Sequence, residues 1–300
     1  MGLTCKTKGI LWAIYSSFWL SIMLCMVRYV SEYYNSYIIV FWRLFFSFIL
    51  MLPWLCSNGF AILKTTKIKL YSYRAIIGII AMTSWFYAVT KLPLPNATAL
   101  SFTSPIFTTI AAIIFLKERP GIFRLMAIMS SFVGVLIIVR PGYVDFNIAS
   151  LMVLFSTSLW ALASILIKKL SVVDKPKLVT FYTAFMMLPF SFIFAIFNWQ
   201  MIALTHVIWF VLIGFTANVA HNALAKSLSL TDVTAIMPYD FLRLVFIGFF
   251  TYFLFNDQTN IYDIAGSIII IGSSIYLSFR ENKFAKKIAK TKELEKLSET

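Results

Sequence analysis

Charge is what this chain has least of. Only 13% of its 300 residues are charged, and the acidic ones are scarcest, 12 Asp and Glu against 26 Lys and Arg. Soluble domains carry about 25% charged residues, so a cytosolic enzyme is excluded, as is a disordered chain, which lives on high polarity. Cysteine is sparse too. Cys5, Cys25 and Cys56 form no C-x-x-C pair, and neither His206 nor His221 stands at metal-ligand spacing. That excludes a disulfide-stapled secreted module and leaves a zinc or iron–sulfur site unsupported. No metal and no other cofactor is expected. H-E-x-x-H, G-x-S-x-G and the P-loop are all missing, so neither an intramembrane enzyme nor a self-contained ATP-driven pump has its motif. The chain is not expected to be an enzyme.

Apolar residues fill the space that charge leaves, at 60% of the chain. They fall into ten stretches: Ile10–Val30, Tyr37–Cys56, Tyr73–Thr90, Ala97–Leu116, Ile122–Val139, Phe146–Ile167, Leu178–Phe197, Val207–Ala225, Val233–Phe255 and Ile261–Phe279. Each runs to about 18–23 residues, the length a helix needs to cross a bilayer at about 1.5 Å per residue. The linkers carry the breakers Asn58-Gly59, Pro93, Pro95, Pro120-Gly121, Pro141-Gly142 and Pro176. The first stretch is too long for the h-region of a signal peptide and precedes no A-x-A site, so it is read as a helix. The chain therefore reads as an all-α membrane protein whose partner is the lipid bilayer.

A net charge of +14 would suggest nucleic acid in a soluble protein. Its placement says otherwise. With both termini inside, the inner segments hold 21 Lys and Arg, among them Lys64, Lys67, Lys69 and Arg74 of one linker. The outer loops hold three, Arg28, Lys91 and Arg140, while Arg43 and Arg243 lie within stretches. This asymmetry is what the positive-inside rule requires of ten helices with both ends cytoplasmic. No nucleic-acid partner is expected, and the basic tail is read as lying on the anionic inner leaflet.

The two halves superpose. At an offset of 136, Met51-Leu52-Pro53 meets Met187-Leu188-Pro189, Gly78 meets Gly214, and Thr98-Ala99 meets Thr234-Ala235. Two residues of slippage later Phe115-Leu116 meets Phe253-Leu254, and at the front, at 141, Trp19 and Arg28 meet Trp160 and Lys169. Five spans is an odd number, so the second half would enter the membrane inverted. Inverted repeats mark secondary transporters, with the substrate near the midplane between them.

The run from Thr98 through Ser104-Pro105 to Lys117-Glu-Arg-Pro120, followed by Gly134 to Arg140-Pro-Gly142, resembles the first EamA domain of the drug/metabolite transporter superfamily. That resemblance implies two inverted five-helix EamA repeats, taken as residues 9–142 and 146–280, and a basic cytoplasmic tail at 281–300. Met237-Pro-Tyr-Asp-Phe-Leu-Arg-Leu244 resembles the S-adenosylmethionine uptake transporters of obligate intracellular bacteria. It implies import of that metabolite across the inner membrane, with exchange for S-adenosylhomocysteine as a coupling mode. An exporter of amino acids or cationic metabolites is the alternative in the same superfamily. Asn256-Asp257 stands where many members carry Gly-Glu, a departure at a loop end. Oligomeric state has no mark in the sequence.

Ionisable groups within a bilayer cost about 2.5–3.5 kcal/mol each on insertion scales, so they face a cavity or a partner. Arg43 lies about 9 Å into the second stretch and Asp240 about 10 Å into the ninth. Arg243 follows Asp240 at i+3, so the two can pair as a salt bridge or together bind a zwitterion. Pro238 frees a backbone carbonyl beside them. Arg43 is either a structural ion or a clamp on a substrate carboxylate. Asn218, His221 and Asn222 share a face of the eighth stretch, where interhelical hydrogen bonding competes with a substrate role. The repeat sets Met82, Trp85 and Phe86 opposite them and Ser104 opposite Asp240, which makes one half aromatic and the other polar. Trp85, Phe86, Tyr87 and Tyr239 would form an aromatic wall for a purine, while Asp240 would meet an ammonium or sulfonium.

Overall fold

The computed structural model describes residues 5–91, 100–139, 148–255, 261–262, 264–273, 275–277 and 279–280. The linkers at Pro93–Pro95 and Arg140–Gly142, the Thr98-Ala99 match, Asn256-Asp257 and the basic tail lie outside them. Among the described residues the chain is helical and forms no strand. The helices are α1 (Cys5–Val30), α2 (Ser36–Asn58), α3 (Ile68–Lys91), α4 (Ser104–Leu116), α5 (Ile122–Val139), α6 (Ile148–Val173), α7 (Pro176–Ile196), α8 (Leu204–Leu230), α9 (Val233–Asp240) and α10 (Leu242–Phe255). A further apolar helix, α11, covers Ile264–Leu277. Helices α1, α2, α6, α7, α8 and the run Val233–Leu254 are each long and apolar enough to cross a membrane.

Large apolar side chains point outward, as at Ile114, Phe253 and Ile268, each more than 60% exposed. Only a hydrocarbon surrounding makes such a surface stable, and in hydrocarbon helices gain little from burying more of the same. Their contacts are made instead by small residues and by hydroxyl groups. The most extensive helix pairs are α1 with α8 and α3 with α6. On α1 the buried face is Gly9, Ala13, Ser16, Ser17 and Ser21, and α8 answers with Ala217, Ala220, Ala223 and Ala225. Ser16 Oγ donates to the Ala220 carbonyl at 2.9 Å and Ser227 Oγ to the Gly9 carbonyl at 2.7 Å.

The repeat is visible in these bonds. Between α3 and α6, Ser156 Oγ donates to the Ala81 carbonyl at 2.6 Å, the counterpart of Ser16 on Ala220. Ser156 lies 140 residues after Ser16, inside the range of offsets of the sequence repeat, and Ala220 stands one turn past Ala217, the residue that the offset of 136 sets opposite Ala81. Helix α2 packs on α7 and α8, and α4 on α6, so the halves interlock rather than sit side by side. Gly214 makes the α2–α8 approach possible: a Cβ there would stand 2.8 Å from the Ser47 backbone nitrogen and 2.9 Å from Phe46 Cβ.

Two stretches that read as continuous spans are interrupted. The ninth splits at Phe241 into α9 and α10. The fourth turns at Phe102-Thr103 before α4 starts at Ser104. Thr103 Oγ1 takes the Leu100 carbonyl at 2.6 Å, and Pro105 in the first turn of α4 brings no N–H.

One end of the fold is tied by the Lys117-Glu-Arg-Pro120 motif. Lys117 ends α4 in the left-handed conformation at φ 55°. That turn swings Glu118 onto the start of α9, where its carboxylate accepts from Val233 N and Thr234 N, both at 2.9 Å, and from Thr234 Oγ1 at 2.8 Å. A carboxylate on those amides also meets the positive end of the helix dipole. Arg124 joins Asp232 at 3.3 Å and Thr234 Oγ1 at 2.9 Å. Lys168 donates to the Leu228 and Thr231 carbonyls, both at 2.6 Å, at the other helix end.

Two stability predictions follow from these contacts. Glu118→Ala should cost about 1–2 kcal/mol and Glu118→Gln less, read as the thermal midpoint of the detergent-purified protein. Gly214→Val should cost about 1–3 kcal/mol by overpacking in the same assay, whereas Gly59→Ala, whose Cβ would meet nothing within 4 Å, should strain only its own backbone at φ 73°.

Candidate functional site

The candidate residues divide into separate groups. The first sits at the α9–α10 break. Pro238 lacks the N–H that an unbroken helix would use, and Leu244 N closes a new turn on the Phe241 carbonyl at 3.0 Å. Arg243 Nη2 donates to Asp240 Oδ2 at 3.2 Å, with both side chains partly buried. The i+3 pairing expected from the sequence is thus made. The Arg243 carbonyl accepts from Ser21 Oγ of α1 at 3.0 Å. The Arg243 guanidinium lies 5.7 Å from the centre of the Phe102 ring, and Phe102 stacks on Phe241 at 6.5 Å and 24°. The two helix interruptions therefore touch each other through their aromatic residues. Ser104 stands half-buried at the start of α4, one residue beyond the first interruption.

A second group surrounds a cavity of about 20 Å³, room for about one water. Arg43 and Ser47 of α2, Arg74 of α3, Trp160 of α6, Thr180, Thr183 and Met187 of α7, and Ala217 and His221 of α8 line it. Arg43 Nη1 approaches Met23 Sδ at 3.9 Å. Asn218 does not line this cavity. It is spent between helices, its Nδ2 donating to the Ser47 carbonyl at 2.8 Å while its Oδ1 accepts from Ser47 Oγ. Asn222 is half-buried, and its Oδ1 makes no hydrogen bond.

The aromatic residues are not brought together as one wall. Trp85 packs with Ala88, Leu100, Ala149 and Val153 at the α3–α6 contact. Tyr239 is 2% exposed and packs with Ile10, Ala127 and Leu277. Tyr87 is 42% exposed, and the side chain of Phe86 lies outside the described residues.

Arg74 is the residue that sequence reasoning misplaced. Counted with the charges of an inner linker, it instead lies in the first two turns of α3 and is 1% exposed. Its guanidinium sits over the Trp160 ring at 5.1 Å, and its Nε and Nη1 make no hydrogen bond. The polar Arg74 also corrects the expectation that the first repeat supplies only aromatic residues. A usable signal was present: Gly78 follows at i+4, and a Cβ there would collide with Arg74 Nη1.

The comparisons with known proteins agree with this architecture. The EamA-like transporter family matches twice, over residues 7–140 and 147–279. The S-adenosylmethionine uptake transporter of Rickettsia prowazekii (strain Madrid E) is 30% identical over 276 residues, 92% of this chain and 94% of that one. A riboflavin transporter of Brucella anthropi is 31% identical over 249 residues, 81% of this chain and 87% of that one. A solved crystal structure superposes with a TM-score of 0.80 over 91% of this chain and 98% of that one at 10% identity, a likeness of fold. With two tandem matches that span nearly its whole length, the chain belongs to the EamA-like transporter family.

Proposed function

We propose that this carrier imports S-adenosylmethionine across the bacterial inner membrane, in exchange for S-adenosylhomocysteine. In this reading ten helices cross the bilayer as two inverted five-helix repeats, residues 9–142 and 146–280, and both termini, with the basic tail at 281–300, are cytoplasmic. The Asp240–Arg243 pair carries the proposal. It stands where an otherwise apolar 22-residue run, Val233–Leu254, is broken, and discontinuous helices at corresponding places in two repeats are where carriers hold substrate.

The chemistry of the substrate suits such a pair. S-Adenosylmethionine carries a sulfonium, an ammonium and a carboxylate. Asp240 would take a cationic group when Arg243 turns to another partner, and Arg43 would hold the carboxylate. Riboflavin is uncharged at neutral pH and needs neither. Trp85 and Tyr239, which pack in separate clusters, are proposed, with Phe86 and Tyr87, as separate contacts for the adenine and the cation rather than as one wall. Ser104, His221 and Asn222 are the proposed polar contacts, and Asn218 joins them only if it leaves its bonds to Ser47. The relatives named for S-adenosylmethionine uptake support this substrate, and the relatives named for riboflavin are its competitors.

Proteoliposomes decide between them. Labelled S-adenosylmethionine should enter, and internal S-adenosylhomocysteine should accelerate its entry. Asp240→Asn should lower uptake at least about tenfold, the loss of one charge-assisted contact, with protein incorporation unchanged. Uptake of riboflavin, amino acids or cationic dyes in place of S-adenosylmethionine would overturn the assignment.

A further inference from the structure

Arg74 is a buried cation without an acid. A guanidinium keeps its proton in proteins, so it cannot shed its charge to suit its surroundings, and at 1% exposure it does not snorkel to the surface. The fold nevertheless makes room for it. Gly78, one turn further along α3, leaves the space that Nη1 occupies, and the face of Trp160 lies 5.1 Å from Cζ. Arg43 brings a second guanidinium to the same cavity from α2, and no Asp or Glu is among the described residues lining it.

The hydroxyl groups of the lining donate elsewhere, which leaves the arginines, with the His221 ring beside them, as the donors that face the cavity. Thr180 Oγ1 donates to the Pro176 carbonyl at 3.2 Å, Thr183 Oγ1 to the Val179 carbonyl at 2.8 Å, and Ser47 Oγ to Asn218. Arg74 Nε and Nη1 remain as buried donors with no acceptor. Unsatisfied donors and two like charges in a largely buried place are each costly. One anion between the guanidiniums removes both costs.

We propose that Arg74 and Arg43 form a subsite for the carboxylate of the transported substrate, with Arg74 the principal donor. The subsite rests on the carrier reading above for its substrate, but its anion chemistry does not depend on which metabolite is carried. A planar monoanion matches a guanidinium edge. The cavity admits a group about the size of one water, which suits a carboxylate oxygen better than a phosphate. A substrate with no anionic group would leave this charge unmet.

Two measurements on the full-length purified protein test the subsite. Sodium acetate, against sodium chloride at equal ionic strength, should raise the thermal midpoint of the wild type and leave that of Arg74→Gln unmoved, with Arg74→Lys between them. Wild-type protein should also prefer S-adenosylmethionine over its decarboxylated analogue by at least about tenfold, the gain from one charge-assisted contact. Arg74→Gln should reduce that preference to within about twofold. Equal stabilisation of wild type and Arg74→Gln by acetate, no stabilisation of the wild type, a larger response to phosphate, or an undiminished preference in Arg74→Gln would overturn the carboxylate subsite. An acetate response that depends on Arg74, in a protein that binds no S-adenosylmethionine, would sustain the subsite and reject the substrate. If Arg74→Gln does not purify as a folded protein, Arg43→Gln is read by the same criteria.

Discussion

Hydrocarbon offers no hydrogen bonds, and the architecture follows from that. Each backbone N–H and carbonyl has to be satisfied within the protein, which explains a chain of helices with apolar outer faces. The same rule makes a serine hydroxyl an effective tie between helices. Ser16, Ser156 and Ser227 each donate to a carbonyl of another helix, and the small residues beside them let the backbones come close enough to be reached. Thr157 and Thr216 instead turn back to carbonyls of their own helices, which satisfies the hydroxyl without adding an interhelical contact.

Against that background every irregularity is costly, so its position carries information. The turn at Phe102-Thr103 and the break at Phe241 fall at related places in the two repeats and meet through stacked rings. Thr103 Oγ1 takes up the Leu100 carbonyl at the first, and Ser21 Oγ of α1 reaches the Arg243 carbonyl just after the second. Glu118 ties the end of α4 in the first repeat to the start of α9 in the second. The two broken segments are thus in contact at the capped end as well as at the breaks. The two arginines of the cavity belong to a different set of helices, α2 and α3. Charge of opposite sign is held apart in the fold: Asp240 pairs with Arg243 at the α9–α10 break, and no Asp or Glu is among the described residues that line the cavity of the two arginines.

How much of the site could be read beforehand depended on the kind of signal. Asp240 and Arg243 share one short segment, and i+3 spacing on a helix is enough to pair them. Arg43 was conspicuous because nothing else charged lies in its stretch. Arg74 was hidden because it follows Lys64, Lys67 and Lys69 within ten residues, and a window on composition merges it with them. Arg74 stands at the very edge of the stretch Tyr73–Thr90, where it counts with the linker charges, but helix α3 starts at Ile68 and so carries it past the first turn into the packed interior. The aromatic wall was drawn from repeat equivalence, and equivalence relates positions, not orientations. Trp85 and Tyr239 each fill the packing of their own helix contacts and face different neighbours.

By itself the sequence determined the class of solvent around this protein, the apolar stretches, the internal duplication and the local ion pair. Each is a property of neighbouring residues or of a fixed offset, and needs no third dimension. Only the tertiary structure decided which polar groups share a space. Arg43, Arg74 and His221 come from three helices, 31 and 147 residues apart along the chain. Their meeting depends on how closely the helices between them pack, which rests on single small residues such as Gly78 and Gly214. No pattern within a window can record that, because the distance between two helices is set by the side chains of both.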